Sequence, residues 1–189
     1  MSNRYDYWLF ENVFNKEKIV EINNFIDNNF NKFEEDHKAA RDLQGNKKKS
    51  GIVKIINYEK IKHLLSDIVD RVINVAEIEF GYLIYGLKNR SELHLNIYSS
   101  DNLEKYDWHT DQTKSDLHDI KLTVLINLSM EQYEGGQFQL FNTNEYEVKE
   151  LNIPGNVIMF KSYINHRVLP VTKGQRRTLA IFLKGPKFR

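Results

Sequence analysis

The sequence predicts a mainly β (α+β) fold: a two-sheet jelly roll or small barrel, with N-terminal helices packed on one sheet. Three observations carry this. Two amphipathic helical stripes fall within the first 80 residues. Past about residue 80 no helical period survives, and short runs of Val, Ile, Leu, Tyr and Phe alternate with turn residues. The length, 189 residues, suits one well-cored domain and is short for two, so residues 1–80 read as helical support and 81–189 as the β core of a single domain.

In chain order, Trp8-Leu9-Phe10 reads as a first short strand. Asn15 stands where a helix N-cap belongs, and Ile19, Ile22, Phe25 and Ile26 follow at helical spacing, which predicts a helix from Lys16 to Asn29. Between Phe33 and Ser50 periodicity is lost and charge is dense, as in a long loop. A strand is expected at Ile52–Ile56. Asn57 then caps a second helix, whose Ile61, Leu64, Leu65, Ile68, Val72 and Val75 form one apolar stripe of ordinary core packing. Leu93–Tyr98 alternates, with Leu93, Leu95 and Ile97 on one face and His94, Asn96 and Tyr98 on the other. Lys121–Leu128 is apolar on both faces and predicts a strand buried on both sides. Gly135-Gly136 and Pro154-Gly155 are turn signals, and Phe138–Phe141, Val157–Phe160 and Arg176–Leu183 complete at least seven strands.

Bulk composition excludes several function classes. Net charge is +1 and the pI is near 7.9, so nothing is built to grip a polyanion, and no nucleic-acid partner is expected. Lys47-Lys48-Lys49 is local and reads as a solvated loop. The absence of cysteine removes disulfides and thiolate chemistry and suits a cytoplasmic protein. Neither a signal-peptide core nor a membrane-length apolar run is present.

The chemistry concentrates at Trp108-His109-Thr110-Asp111. On a strand, His109 and Asp111 share a face with Cα atoms roughly 6.6 Å apart, close enough to converge on one metal ion. His166 is the best third ligand. Two histidines and one carboxylate make the facial triad of non-haem Fe(II) oxygenases, which leaves coordination positions open. Ten residues on, Arg176 opens the last strand. Arg176, Thr178, Ala180 and Phe182 share its small, partly polar face, whereas Arg177, Leu179, Ile181 and Leu183 share an aliphatic one. Arg176 is therefore expected to point inward and Arg177 outward. An inward guanidinium near a metal needs an anion. A dicarboxylate that chelates the metal at one end and meets Arg176 at the other satisfies both.

The order His109-x-Asp111, Tyr133-Glu134-Gly135-Gly136, Pro154-Gly155, His166, then Pro170-Val171-Thr172 with Gly174 and Arg176, resembles the 2-oxoglutarate/Fe(II) dioxygenases. The prolyl 4-hydroxylase-like branch is the nearest likeness, over about residues 93–186. The resemblance implies a double-stranded β-helix in which His109, Asp111 and His166 bind Fe(II). It implies 2-oxoglutarate with its far carboxylate on Arg176, Thr178 beside it, and Tyr98 helping to hold it. Relatives often carry an inward tyrosine on the strand after His-x-Asp that touches the far carboxylate; the matching position here is Asn127, which the resemblance makes a further cosubstrate-binding candidate. Animal collagen-type members use Lys where Arg176 stands, so the chain looks closer to bacterial and viral members. The implied reaction consumes O2, releases succinate and CO2, and hydroxylates a peptide, protein or small molecule, with ascorbate as reductant and a peptidyl proline as first guess. Halogenating relatives lack the carboxylate ligand, and Asp111 is present. Gln112–Asp119 and Phe33–Ser50 are candidate lids.

Two other readings compete: a jelly roll that binds a metal or small acid without turnover, and a cupin-like metalloenzyme that needs no keto acid. Succinate release separates the first, and omission of 2-oxoglutarate the second. His37, His63 and His118 read as surface or packing residues. His94 either lines the pocket or only shares a polar face. Trp108 and Tyr106 fit substrate stacking or core packing. Oligomeric state is not legible.

Overall fold

In the computed structural model, which describes residues 5–36, 48–88, 91–111 and 115–187, these residues form thirteen strands and two α-helices. Strand β1 (Tyr7–Phe10) leads into α1 (Lys16–Asn29). Asn15 caps the helix as expected, its side-chain oxygen accepting from the Lys18 N–H at 2.9 Å. Helix α1 buries Ile19, Ile22 and Ile26. Asn23, buried among them, donates to the carbonyls of Ile19 and Leu128 and so stitches the helix to the sheet beneath. Strands β2 (Glu34–Glu35) and β3 (Ile52–Asn57) pair antiparallel. Helix α2 (Tyr58–Ile78) follows at once, with Asn57 accepting from the Glu59 N–H at 3.0 Å, and it buries the stripe from Ile61 to Val72.

The remaining strands are β4 (Glu92–Ser99), β5 (Tyr106–His109), β6 (Asp119–Asn127), β7 (Glu134–Gly135), β8 (Phe138–Asn142), β9 (Asn144–Glu147), β10 (Val157–Lys161), β11 (Asn165–Val168), β12 (Val171–Lys173) and β13 (Gln175–Gly185). Seven strands make the major sheet, in the order β1-β10-β6-β13-β4-β3-β2; β5-β11-β8-β9 make the minor sheet, and β12 pairs with β7. Together they form the double-stranded β-helix. Period-two alternation splits the core in two. Leu93, Leu95, Leu179, Ile181 and Leu183 face the helices, whereas Tyr98, Leu125, Phe138, Leu140, Phe160 and Ala180 pack between the sheets.

Several details depart from expectation. The N-terminal segment is more than helical support, since β1 pairs with β10 and β3 with β4 inside the major sheet. The loop expected from Phe33 contains β2, and residues 37–47 lie outside the described residues, as do 112–114; these take most of one candidate lid and part of the other. Strand β9 gave no apolar alternation because its residues are polar except for Tyr146. Arg177 leaves the pocket side, as expected, but not for solvent: it is 8% exposed under α1, where Nη2 donates to Asp27 Oδ1 at 2.7 Å. Gly155 (φ +85°) lies so close to the Phe14 carbonyl that any Cβ would collide, which fixes the Pro154-Gly155 turn against the start of α1. Among the described residues, no helix is long and apolar enough to cross a membrane.

Candidate active site

Register brings the predicted residues together. His166 on β11 stands directly opposite His109 on β5, and Asp111 lies just past the end of β5, its N–H held by the Ser162 carbonyl at 2.9 Å. His109, Asp111 and His166 each offer one ligand atom, and these atoms all lie within 4.8 Å of one another. His109 Nε2 is 3.8 Å from Asp111 Oδ1, and His166 Nε2 is 3.4 Å from Asp111 Oδ2.

The surroundings fix each group's orientation. His109 Nδ1–H donates to the Asp107 carbonyl at 2.8 Å and His166 Nδ1–H to the Ile164 carbonyl at 2.9 Å. Both tautomers therefore leave Nε2 as a lone-pair donor facing Asp111, the arrangement metal-binding histidines use. Tyr106 stacks on His109, with centroids 3.4 Å apart and planes at 14°, and Phe160 meets His166 edge-on. Thr123 Oγ1 donates to Asp111 Oδ2 at 2.7 Å. Burial, then the neighbouring His166, lowers His109 to about 3, so its imidazole is neutral at physiological pH. Burial pushes Asp111 up, but the two histidines and the Thr123 hydroxyl outweigh it and bring the carboxyl down to about 2. A neutral imidazole at His109 and a carboxylate at Asp111 are protonation states that suit a divalent cation.

Arg176 lies deeper. It is 1% exposed and pairs in register with Tyr98 on β4, with Thr178 and Asn96 forming the next rung. Nη1 donates to Thr178 Oγ1 at 3.3 Å, while Nε and Nη2 are buried with no partner among the described residues. A guanidinium left so is costly unless an anion completes it. Gly136 (φ +63°) keeps the space: a Cβ there would come within 3.0 Å of Arg176 Cδ. One cavity of about 180 Å³ contains all of these groups, lined by His109, Asp111, His166, Tyr98, Arg176 and Thr178 among others.

Asn127 stands apart from that set. Its side chain donates to the Leu151 carbonyl at 2.8 Å and accepts from the Ser129 N–H at 2.9 Å, so both ends tie loops together and it does not line the cavity. His94 does line it, beside Phe182. His63 packs edge-on against Phe25, and His118 bonds to Ser115. His37 lies outside the described residues. Trp108 is on the outer face of the minor sheet, sandwiched by Arg167 and Phe141 rather than in the cavity. Two contributors escaped the sequence. Thr123 is an inward hydroxyl in a run that is otherwise aliphatic from Leu122 to Ile126, a readable signal. Lys49 was expected in a solvated loop, but it lines the cavity, its Nζ donating to Asn96 Oδ1 at 2.7 Å.

Residues 93–184 match the family model of the 2OG-Fe(II) oxygenase superfamily. That stretch resembles a 2OG-Fe(II) oxygenase domain. This domain, running from β4 through β13, contains the whole His109–Asp111–His166 cluster and Arg176. No curated protein matches the chain in sequence. Among solved structures, a Pseudomonas putida prolyl-4-hydroxylase is similar at TM-score 0.70 and 14% identity, over 97% of this chain and 95% of that one. A Trichoplax adhaerens prolyl hydroxylase, solved with a hypoxia-inducible-factor peptide fragment, gives TM-score 0.67 and 19% identity over 96% and 84%. The carbocyclase SnoK from nogalamycin biosynthesis gives 0.67 and 12% over 95% and 79%. At such identities the likeness establishes the fold, and the family supplies the activity class: an oxidoreductase of the 2-oxoglutarate-dependent dioxygenase type. Fe(II) and 2-oxoglutarate are what the family implies. The donor set and the unpartnered Arg176 nitrogens fit both.

Proposed function

We propose that this dioxygenase hydroxylates an unactivated C–H bond of a prolyl substrate, with a peptidyl proline foremost, converting 2-oxoglutarate to succinate and CO2. The observation that carries the reading is the convergence of His109, Asp111 and His166 in one cavity with a buried guanidinium that lacks an anionic partner. Prolyl hydroxylases among the similar structures, one of them holding a peptide fragment, support the choice of proline.

His109 Nε2, His166 Nε2 and one Asp111 oxygen would hold Fe(II). When bound, that metal supplies O2 activation coupled to oxidative decarboxylation of the keto acid. The rest belongs to the chain. Thr123 holds Asp111 to one rotamer, and the Nδ1–H bonds of the two histidines fix their ring planes. Arg176 and Thr178 receive the far carboxylate, with Tyr98 closing the same rung, which aligns the keto-acid end with the ligand cluster. Leu125, Phe138 and Phe182 supply apolar wall that keeps water from the reacting carbon.

A succinate-release screen with Fe(II), ascorbate and 2-oxoglutarate tests the reading, using prolyl peptides, free amino acids and nucleobases as substrates. Stimulation by prolyl compounds with formation of hydroxyproline is expected. Stimulation by nucleobases alone would overturn the proline assignment.

A further inference from the structure

The cavity holds a second cation that metal and cosubstrate leave unused. Lys49 lies outside the regular strands, joined to Tyr106 of β5 by an isolated β-bridge. Its ammonium turns inward instead of following the usual course of a surface lysine, whose head stays in water. Nζ donates to Asn96 Oδ1 at 2.7 Å and sits 4.6 Å from the centroid of the Tyr106 ring, the ring that stacks on His109. Asn96 is aimed for this contact, since its Nδ2 donates to the His94 carbonyl and leaves Oδ1 to face the ammonium. Lys49 is thus one aromatic ring away from a metal-ligand candidate, and it is held by the rung next to Arg176. The described residues give it one hydrogen-bond acceptor and no ion-pair partner within 4.0 Å. An ammonium has three donors. Burial shows in its acidity, which is lowered to about 8 despite the opposing pull of Asp111 and Asp36.

We propose that Lys49 receives a carboxylate carried by the primary substrate, so that the domain selects compounds with a free carboxylate near the carbon it oxidises. The proposal rests on the dioxygenase reading above and deepens it. Charge decides the class of anion. Asp111 and the far carboxylate of 2-oxoglutarate are already answered by the metal ion and Arg176, and Asp36 shares the wall with Lys49. One ammonium with donors to spare, beside an acidic neighbour, suits a monoanion and opposes a phosphate dianion. Tyr106, its ring between ammonium and imidazole, sets Lys49 one ring away from His109, so a carboxylate held by the ammonium keeps a small substrate beside the ligand cluster.

The test is isothermal titration of the Zn(II)-loaded, 2-oxoglutarate-saturated protein with N-acetyl-L-proline and its amide, alongside KM values for the same pair on the Fe(II) enzyme. The acid should bind roughly ten- to hundredfold tighter than the amide, the usual value of a charge-assisted contact. Lys49→Gln should erase that preference by weakening the acid, and Lys49→Arg should restore part of it, which separates recognition from damage to the fold. L-proline, glycyl-L-proline and an amidated prolyl-aspartyl peptide distinguish a free amino acid, a chain end and an acidic side chain as the source of the carboxylate. Equal binding of acid and amide by the wild-type protein overturns the proposal. So does a Lys49→Gln variant whose KM for 2-oxoglutarate rises as far as that of an Arg176 variant, because Lys49 then serves the cosubstrate. A preference for N-acetyl-L-leucine over its amide, with no response to any prolyl compound, would sink the proline reading and keep Lys49 as the receptor.

Discussion

Replacing Arg176 by methionine should make the protein more stable without 2-oxoglutarate and nearly deaf to it. The guanidinium is buried with one 3.3 Å bond to Thr178 and two unpartnered nitrogens. Each unsatisfied buried donor costs roughly 1–3 kcal/mol, and an apolar side chain of similar length removes that burden while still filling the space beside Gly136. A net gain of about 1–2 kcal/mol raises Tm by roughly 2–8 °C for a chain of this size. With 2-oxoglutarate at a hundred times its Kd, the wild-type protein gains about 2.7 kcal/mol by linkage, or roughly 5–11 °C. Losing the charge-assisted pair weakens binding about ten- to hundredfold, so the variant keeps about 0.4–1.4 kcal/mol of that gain. Thermal unfolding of the Zn(II)-loaded proteins, with and without 2-oxoglutarate, reads both effects. A variant that melts below the wild type without cosubstrate, or that shifts equally with it, refutes the role given to Arg176.

Thr123→Val removes the hydroxyl on Asp111 Oδ2 and should weaken metal binding about 10–100-fold in a Zn(II) titration, with unchanged affinity counting against the link. His109, depressed from its ordinary 6.5 to about 3, makes the metal-free protein acid-sensitive. Between those values the unfolded chain binds one more proton than the native state, so stability falls as pH drops below about 6.5, by about 1 kcal/mol per unit. Asp111, depressed to about 2, adds its own loss only below about pH 4. Chelator-treated protein melted between pH 7.5 and 5 should show that slope and His109→Gln a shallower one; parallel slopes would contradict it. Asp27→Asn weakens the tie between α1 and Arg177 and, with Asp27 half exposed, should lower Tm by only about 2–4 °C and leave the KM for 2-oxoglutarate in place, which a rise in that KM would disprove.

Legibility followed the strength of local signals. Both helices could be placed because Asn15 and Asn57 stand as caps in front of clean apolar stripes. Alternation on Leu93–Tyr98 and Arg176–Leu183 told which side chains share the inner face, and that alone put Tyr98, Arg176 and Thr178 on one wall. Two-residue strands such as β2, and the polar β9, carry too little pattern to be read before their partners are known. Asn127 misled because a rung position says which way a residue leaves the sheet but not which loop will claim its amide; Leu151 and Ser129 do. Lys49 was missed for the opposite reason. A lysine triplet looks solvated in composition, and only the bridge to Tyr106 turns one of the three inward.

The most direct test of the whole account follows CO2 released from 2-oxoglutarate labelled at its keto-acid carboxyl, with O2 and Fe(II), in the wild-type protein and in Asp111→Ala. The account predicts release by the wild type that requires both Fe(II) and O2, and none by the variant. Equal release from both proteins, or none from metal-loaded wild type with any substrate of the screen, would contradict it.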